Sequence, residues 1–267
     1  MYLGTAGFSY PDWVGVLYPE GLKAADFLSY YATRFNSVEV DFTYYRQPAP
    51  KTMEGMARKV PKDFRFTVKA HKTITHEIPE SADDRAKEIA TFTQGVAPMA
   101  ESGNLGCILY QFPWGFRYSP ENLDYLVSLK EKVTVAPAVV EFRNVQWARQ
   151  DVYEALRTSG TGFCCVDEPN LRGLFPKVSM VTSEVSYLRF HGRNAAKWWS
   201  HKEAWERYDY LYTDEEMKPW IPKIRDMEEQ ADDTYVLYNN CHRGQAAVNA
   251  SRMQELLDLV ERTPAPT

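Results

Sequence analysis

Short apolar segments alternate with amphipathic segments along the whole chain. Each apolar segment spans five to seven residues and is rich in Val, Ile, Phe and Tyr. That composition is typical of parallel strands that are buried on both faces. We therefore predict eight strands, at residues 2–6, 37–43, 65–71, 106–112, 138–143, 162–167, 185–191 and 234–239.

The segments between the strands carry apolar residues three and four positions apart, which is the spacing of one face of a helix. Local signals mark where several of these helices begin. Ser119 precedes Pro120, a pair that suits a helix N-terminus, and Thr213 with Glu216 matches a capping box. Seven helices follow from this pattern. The connection across residues 168–184 lacks the helical period and is predicted to be an irregular loop.

Eight strands alternating with helices fit two α/β folds, a closed barrel and a doubly wound open sheet. No glycine-rich phosphate turn follows the first strand, which argues against the open dinucleotide-binding type. The count of eight favours a closed (β/α)8 barrel of the TIM type. A length of 267 residues suits one such barrel, and no linker or repeat interrupts it. We therefore expect a single domain over residues 1–267 with an irregular sixth connection.

Composition narrows the class of protein without naming a reaction. Hydrophobic residues make up 44% and charged residues 25%, which is ordinary for a globular protein. The chain shows no secretion signal, no segment of membrane-spanning length and no metal-ligand spacing among its four cysteines. These features predict a cytoplasmic protein without a membrane partner. The formal net charge of −5 argues against wholesale coating of nucleic acid, but it permits a local basic cleft.

Four charged residues lie inside strands that are otherwise apolar. Glu39, Lys69, Glu141 and Arg189 come near the C-terminal ends of four predicted strands, where barrels of this type place their catalytic groups. An unpaired buried charge costs several kcal/mol, so these side chains should meet if they point inward. Two interpretations stay open. The four residues form either a neutralised ion network that fills the barrel or the acid–base apparatus of an enzyme.

Sequence motifs at characteristic spacings cover nearly the whole chain. They are Gly4-Thr-Ala-Gly-Phe-Ser-Tyr, Phe35-Asn-Ser-Val-Glu39, Tyr45-Arg46, Phe66-Thr-Val-Lys69, Gln111-Phe-Pro113, Val140-Glu141-Phe-Arg143, Tyr187-Leu-Arg189-Phe-His191-Gly-Arg193 and Tyr238-Asn239-Asn240. Through these motifs the chain resembles the YecE-like family, which is catalogued as domain of unknown function number seventy-two. The resemblance implies a TIM-type barrel and supplies neither a reaction nor residues with assigned roles. Cys241 departs from the small polar residue expected after the asparagine pair.

Cationic residues gather at the predicted strand ends of a chain that is acidic overall. Arginine side chains match phosphate and carboxylate groups with two parallel hydrogen bonds. The pattern therefore predicts a mouth that binds a small anionic or phosphorylated molecule; the alternative is that these arginines pair with neighbouring acids. The candidate ligand-binding residues are Tyr45, Arg46, His71, His76, Gln111, Arg143, Asp167, Arg189, Arg193, Asn239 and Asn240.

The candidate catalytic residues are Glu39, Lys69, Glu141 and His191. Two carboxyl groups in a dry, charge-rich barrel suit general acid–base catalysis, with Lys69 or His191 as the proton partner. A carboxylate pair also fits glycoside cleavage, which needs a separation that sequence does not define. Lys69 would form a Schiff base if neighbouring cations depress its pKa, whereas ordinary pairing with Glu39 or Glu141 would keep it charged.

A divalent metal is a further alternative, and no cofactor is identified. The strand ends offer carboxylate and imidazole ligands such as Asp41 and His242, but no His-x-His or His-x-x-x-His pair is present. Lys69 and the arginines would repel a cation. Metal-assisted cleavage of phosphodiesters would use such a site.

An aromatic insertion follows the seventh strand. Residues 192–212 contain three tryptophans and three tyrosines, with several basic residues between them. Long loops at this face act as lids or binding walls, and basic aromatic loops suit stacking on a base or sugar. A small satellite core is the equally favoured alternative. Three functions therefore remain: an enzyme for an anionic small molecule, a nucleic-acid-binding and endonuclease-like barrel, and a non-catalytic sensor.

Overall fold

The eight predicted strands form one closed parallel barrel in a computed structural model. Each strand pairs with the next along the chain, and β8 closes the barrel on β1. The structure describes residues 1–262, so residues 263–267 of the predicted domain lie outside it. The strands are β1 (Tyr2–Ala6), β2 (Ser37–Val40), β3 (Arg65–Lys69), β4 (Leu105–Gln111), β5 (Ala138–Glu141), β6 (Gly162–Asp167), β7 (Val185–Phe190) and β8 (Asp233–Tyr238).

Helices surround the barrel, as the periodicity predicts. The capping box of Thr213 and Glu216 is formed, and the connection across residues 168–184 contains no helix, so both predictions are confirmed. No helix within residues 1–262 combines the length and apolarity needed to cross a membrane. The helices are α1 (Phe27–Tyr31), α2 (Pro50–Ala57), α3 (Lys72–Thr75), α4 (Ala82–Glu101), α5 (Pro120–Lys132), α6 (Gln150–Ser159), α7 (Ala195–Trp198), α8 (Asp214–Met217), α9 (Ile221–Gln230) and α10 (Gln245–Arg262).

Several strands end earlier than the apolar pattern predicts. β2 ends at Val40 rather than at residue 43, because a 3-10 turn at Phe42–Tyr44 bends the chain across the mouth. Thr43 Oγ1 donates to the carbonyl oxygen of Lys69 at 2.6 Å, which ties this turn to the end of β3. Side-chain alternation therefore stops at the strand ends, and residues beyond them take their direction from turns.

Aromatic side chains fill the interior of the barrel on the N-terminal side of the charged residues. Tyr187 and Tyr235 are fully buried, and their ring centroids lie 5.8 Å apart. Thr67 Oγ1 lies 2.7 Å from the hydroxyl oxygen of Tyr187, and that hydroxyl donates to Glu39 at 2.8 Å. The charged residues of the strand ends thus lie above a layer of buried tyrosine rings, one of which hydrogen-bonds to Glu39.

The β2–α2 loop carries residues of the mouth and is anchored on α4. Gln47 donates from Nε2 to the Glu88 carboxylate at 2.8 Å, and Pro48 packs against Gly95. A Cβ atom at Gly95 would lie 2.2 Å from the Pro48 carbonyl oxygen, so only glycine permits this approach. The α2–α4 contact therefore fixes the position of the loop.

We expect Gly95→Ala to lower the free energy of unfolding by about 1–3 kcal/mol, because the added methyl group forces the loop away from α4. Gly55→Ala is the matched control, since a Cβ atom at this α2 position has no neighbour within 4 Å. That variant should gain up to about 1 kcal/mol from helix propensity. Urea-unfolding midpoints check both values, and equal midpoints for the two variants would contradict the packing described.

Candidate functional site

Arg189 lies at the centre of the barrel between two carboxylates. Its Nη2 donates to Glu39 Oε1 at 2.6 Å, and its Nη1 donates to Glu141 Oε2 at 2.6 Å. All three side chains are buried. The charges of Glu39 on β2, Glu141 on β5 and Arg189 on β7 compensate one another. Removing any one of them would break a buried ion pair, which is strongly destabilising.

A second arginine extends this network toward the mouth. Arg143 Nε lies 2.7 Å from Glu141 Oε1, and Arg143 Nη1 donates to Glu168 Oε2 at 2.7 Å. The strongest effect on the pKa of Glu141 is burial, which raises it, but Arg143 and Arg189 together bring it well below its usual range. Burial, and then the charge of Glu141, raises the pKa of Glu168 to about 7 in spite of its arginine partner. Glu141 is therefore a permanent carboxylate.

His191 is held in one neutral tautomer. Its Nδ1 lies 3.0 Å from Asn239 Nδ2 and 3.4 Å from Arg143 Nη2. Because arginine only donates, Nδ1 accepts and the ring proton lies on Nε2, which is 3.2 Å from Glu141 Oε1. Burial and the positive charge of Arg143 lower the pKa of His191 to about 3. His191 thus carries no charge near neutral pH.

Asp167 and Arg193 form a second buried cluster, separate from the central network. Arg193 donates from Nε and Nη2 to the two carboxylate oxygens of Asp167, at 2.8 and 2.7 Å. Tyr212 OH and Trp220 Nε1 also donate to Asp167, at 2.9 and 2.8 Å. The predicted ligand-binding pair is therefore fully engaged within the protein. It holds the segment between β7 and α9 on the barrel.

Three other predicted residues lie outside the cavities of the mouth. His71 follows the end of β3, caps α3 and bonds to Thr73, so this predicted ligand-binding residue lines neither cavity of the mouth. Arg46 is exposed on the β2–α2 loop. Asn240 donates to the Tyr210 carbonyl oxygen at 2.8 Å and belongs to the interior.

Two cavities open at the mouth of the barrel. The tryptophan cavity has a volume of about 300 Å³, and its lining includes Trp114, Trp199, His76 and Arg207. The Asp41 cavity has a volume of about 390 Å³, and its lining includes Tyr10, Asp41, Arg189 and Asn239. The residues that line both are Tyr45, Lys69, Gln111, Arg143, Ala204 and Tyr208.

Lys69 lies where the two cavities meet and has no acidic partner among the described residues. Its Nζ lies 4.4 Å from the centre of the Tyr44 ring, as a cation above an aromatic face. The predicted pairing with Glu39 or Glu141 is absent, because both carboxylates are bound by arginine. Burial and then the positive charge of Arg189 lower the pKa of Lys69 to about 8.

Asp41 lies at the mouth of the barrel. The sequence pattern indicates only one role for it, as a metal ligand. Within residues 1–258 its carboxyl group makes no hydrogen bond or ion pair with another side chain, and it lines the second cavity. Burial, followed by the negative charge of Glu39, raises the pKa of Asp41. Burial therefore moves the pKa values of Asp41 and Lys69 toward the neutral range, where general acids and bases work best.

The aromatic insertion combines buried and exposed rings. Trp198 and Tyr212 are buried, and Tyr212 belongs to the main hydrophobic core of the barrel. Trp199 and Trp205 are 52% and 46% exposed, and they line the tryptophan cavity and the Asp41 cavity respectively. Trp205 stacks on His242 with ring centroids 4.1 Å apart. The insertion thus builds the outer walls of both cavities.

The described residues do not assemble a metal centre. Nowhere in residues 1–258 do three or more His, Cys, Asp or Glu side chains converge with the geometry to hold a metal ion. The carboxylates of Glu39 and Glu141 face guanidinium groups instead, and His191 Nδ1 points at Arg143. Arginine nitrogens lie 2.6–2.7 Å from carboxylate oxygens of Glu39 and Glu141, and their positive charge opposes a cation at the same oxygens.

The family model described as "Protein of unknown function DUF72" matches residues 2–267. The chain belongs to the DUF72 family. The resemblance to the YecE-like family is thereby confirmed. The UPF0759 protein YecE of Escherichia coli K12 is 32% identical over 99 residues, which cover 37% of this chain and 34% of that protein.

Two relatives match this DUF72 chain over nearly its whole length. The UPF0759 protein YunF of Bacillus subtilis is 32% identical over 278 residues, covering 100% of this chain and 98% of that protein. A DUF72 family protein from Thermotoga maritima, known from a crystal structure, is 43% identical with a TM-score of 0.88. The match covers 96% of this chain and 98% of that one, which confirms the barrel fold.

The state of Lys69 leads to a prediction about stability. In the unfolded chain this amine has its ordinary pKa of 10.5, whereas in the folded protein its pKa is about 8. The unfolded state therefore binds more protons between these pH values, and stability rises with pH there. Lys69→Met removes the cost of burying a charged amine and should raise the free energy of unfolding at pH 7 by about 1–2 kcal/mol. Partial exposure of the amine keeps this gain below the value of the full pKa shift.

Thermal unfolding of wild type and variant from pH 7 to pH 10 measures this effect. The advantage of Lys69→Met should shrink as the pH passes 8 and disappear near 10.5. Lys72→Met is the control, because Lys72 is an exposed lysine that pairs with Glu77 at the surface. It should leave stability nearly unchanged at every pH. A destabilised Lys69→Met protein, or a constant difference across the range, would contradict the unpaired state of Lys69.

Proposed function

We propose that this DUF72 protein is an enzyme that binds a small anionic molecule in the tryptophan cavity and moves protons on it with Lys69 and Asp41. One observation carries the proposal. The tryptophan cavity is lined by the cations Lys69, Arg143 and Arg207, and none of the described residues that line it is acidic. In a protein with a formal net charge of −5, such a cavity favours a negative ligand.

Arg207 is the cation with the most capacity for a ligand. Its Nε donates to the Trp198 carbonyl oxygen at 3.1 Å, and its Nη2 lies 3.3 Å from His201 Nε2. Neither partner is an acid, so the positive charge is not neutralised by a neighbouring carboxylate in the described part of the chain. The neutral contacts hold the guanidinium in place, which reduces the entropy cost of binding an anion. Phosphate and carboxylate groups both match its geometry.

Acid–base work fits Lys69 and Asp41 better than the glutamates predicted from sequence. All four carboxylate oxygens of Glu39 and Glu141 contact arginine, tyrosine or histidine, and we assign these residues to holding the cations. With a pKa of about 8, roughly one Lys69 in ten is neutral at pH 7. At the usual lysine pKa that fraction is roughly one in three thousand. Lys69 can therefore both accept and donate a proton near neutral pH.

The shape of the mouth supports a small molecule over a nucleic-acid strand. The cations lie in cavities of about 300 and 390 Å³, which is the size of small-ligand pockets. A nucleic-acid-binding protein presents its cations along an open surface. A non-catalytic sensor would bind the same ligand without turnover. We also propose a cytoplasmic setting, which is supported by four free cysteines.

The expected ligands are small phosphorylated or carboxylated molecules, and thermal unfolding in the presence of a panel of them tests the proposal. Compounds that bind should raise the Tm of the wild-type protein in a concentration-dependent manner. Arg207→Gln removes a charge-assisted contact worth about 1.5–3 kcal/mol, so it should weaken binding by roughly tenfold to a hundredfold. Inorganic phosphate and sulfate belong in the panel as minimal anions, and a single-stranded oligonucleotide represents the nucleic-acid alternative.

Lys202→Gln is the matched control for Arg207→Gln. Lys202 is exposed, lies in the same insertion and lines neither cavity, so the variant makes the same change in charge outside the site. It should bind the panel as the wild type does. Equal weakening of anion binding in both variants would show that only the overall charge of the protein matters, and not Arg207. A wild-type protein that no anion stabilises would refute the proposal. Tight oligonucleotide binding that falls steeply with salt would favour the nucleic-acid function instead.

A further inference from the structure

We infer that Lys69 is a nucleophile whose Nζ condenses with the carbonyl carbon of an anionic substrate to form an imine, with Asp41 transferring the protons. The inference rests on the proposed function, because the tryptophan cavity would hold the anionic group of that substrate. The substrate class is a small ketone or aldehyde that bears a carboxylate or a phosphate.

The carboxylates of Glu39 and Glu141 contact other groups rather than Lys69. Arg189 binds Glu39 Oε1 and Glu141 Oε2, Tyr187 donates to Glu39 Oε2, and Arg143 Nε lies 2.7 Å from Glu141 Oε1. Lys69 makes no ion pair with an acid among the described residues, and Asp41 is a carboxyl group that lines a cavity with it. Two guanidinium groups near a buried amine favour its neutral form, which is the nucleophilic one.

Lys69 lines two chemically different cavities. Arg207 lines the tryptophan cavity, and Asp41 lines the other. A substrate that binds Arg207 through its anionic group and reaches Lys69 with its carbonyl carbon would lie in the tryptophan cavity. The Asp41 carboxyl group would then serve the same amine from the second cavity.

The backbone and the side chain of Lys69 are held in place by contacts that leave its amine available. It ends β3, and its carbonyl oxygen accepts from Thr43 Oγ1 at 2.6 Å, which fixes the backbone. The Tyr44 ring lies 4.4 Å from Nζ and restricts the side chain without donating to the amine. A nucleophile on a rigid strand end with limited side-chain freedom has a low entropy cost of attack.

The reaction balances with the groups present. The neutral amine adds to the carbonyl carbon, a C–N bond forms, and an amine proton passes to the former carbonyl oxygen to give a carbinolamine. Asp41, which carries the proton that it took from the Lys69 ammonium group to give the neutral amine, then passes it to the hydroxyl group, which leaves as water while the nitrogen lone pair forms the C=N bond. The products are a protonated imine, one water molecule and the Asp41 carboxylate. That carboxylate is placed to remove a proton from the adjacent carbon, whose acidity the imine raises.

Borohydride trapping with the full-length protein tests the inference. Pyruvate, glyoxylate and dihydroxyacetone phosphate serve as anionic carbonyl compounds, and acetone serves as the uncharged comparison. Intact mass and peptide mapping should show one adduct, confined to Lys69 and formed at lower concentrations of an anionic compound than of acetone. Lys69→Arg keeps the charge but cannot form the adduct, whereas Lys72→Arg should retain it fully. Asp41→Asn should slow formation of the adduct without moving it.

The outcomes separate this inference from the proposed function. Anionic carbonyl compounds that raise the Tm but leave no borohydride-dependent adduct on Lys69 would overturn the imine, while anion binding stands. Labelling spread over exposed lysines, or unchanged in Lys69→Arg, would overturn it as well. An adduct on Lys69 together with no stabilisation by any anion would support the nucleophile and refute the anion cavity. An adduct that requires tenfold more ligand in Arg207→Gln supports both.

Discussion

Arg189 is shared by Glu39 and Glu141 in the interior of the barrel, and the arrangement of the mouth follows from that pairing. A buried guanidinium needs carboxylate partners, and two carboxylates contributed by β2 and β5 supply them at 2.6 Å. Arg143 repeats the arrangement one layer nearer to solvent, between Glu141 and Glu168. The two arginines therefore pair with the glutamates at the strand ends. Below them the buried rings of Tyr187 and Tyr235 fill the barrel interior.

Lys69 and Asp41, in contrast, make no ion pair with any described residue. Lys69 and Asp41 come from β3 and from the turn after β2, and both lie at the edge of the arginine network. Each has a pKa displaced by burial, in opposite directions. Such groups cost stability, and proteins keep them chiefly where function requires a poised proton or a nucleophile. Asp167 with Arg193 shows the contrasting case, a fully bonded pair that secures an insertion.

The barrel and its central charges were predictable because both obey rules that act within a strand. Apolar runs buried on both faces indicate the sheet, and alternation places Glu39 and Arg189 on the same inner side. The rest of the site depends on chain segments beyond the strand ends. His71 turns away because it caps a helix, and Asp41 enters the mouth because a 3-10 turn follows β2. Arg207 owes its position to a hydrogen bond with the Trp198 carbonyl oxygen within the aromatic insertion, which sequence periodicity does not describe.

The most direct test of this account is the titration of Lys69 itself. Carbon-13 NMR of protein labelled at the lysine ε carbons follows each amine separately, and the signal missing from Lys69→Met assigns the resonance. We expect this resonance to titrate near pH 8, apart from the other lysines. Titration of Lys69 together with the surface lysines, near pH 10.4, would show that its charge is compensated after all and would contradict the account.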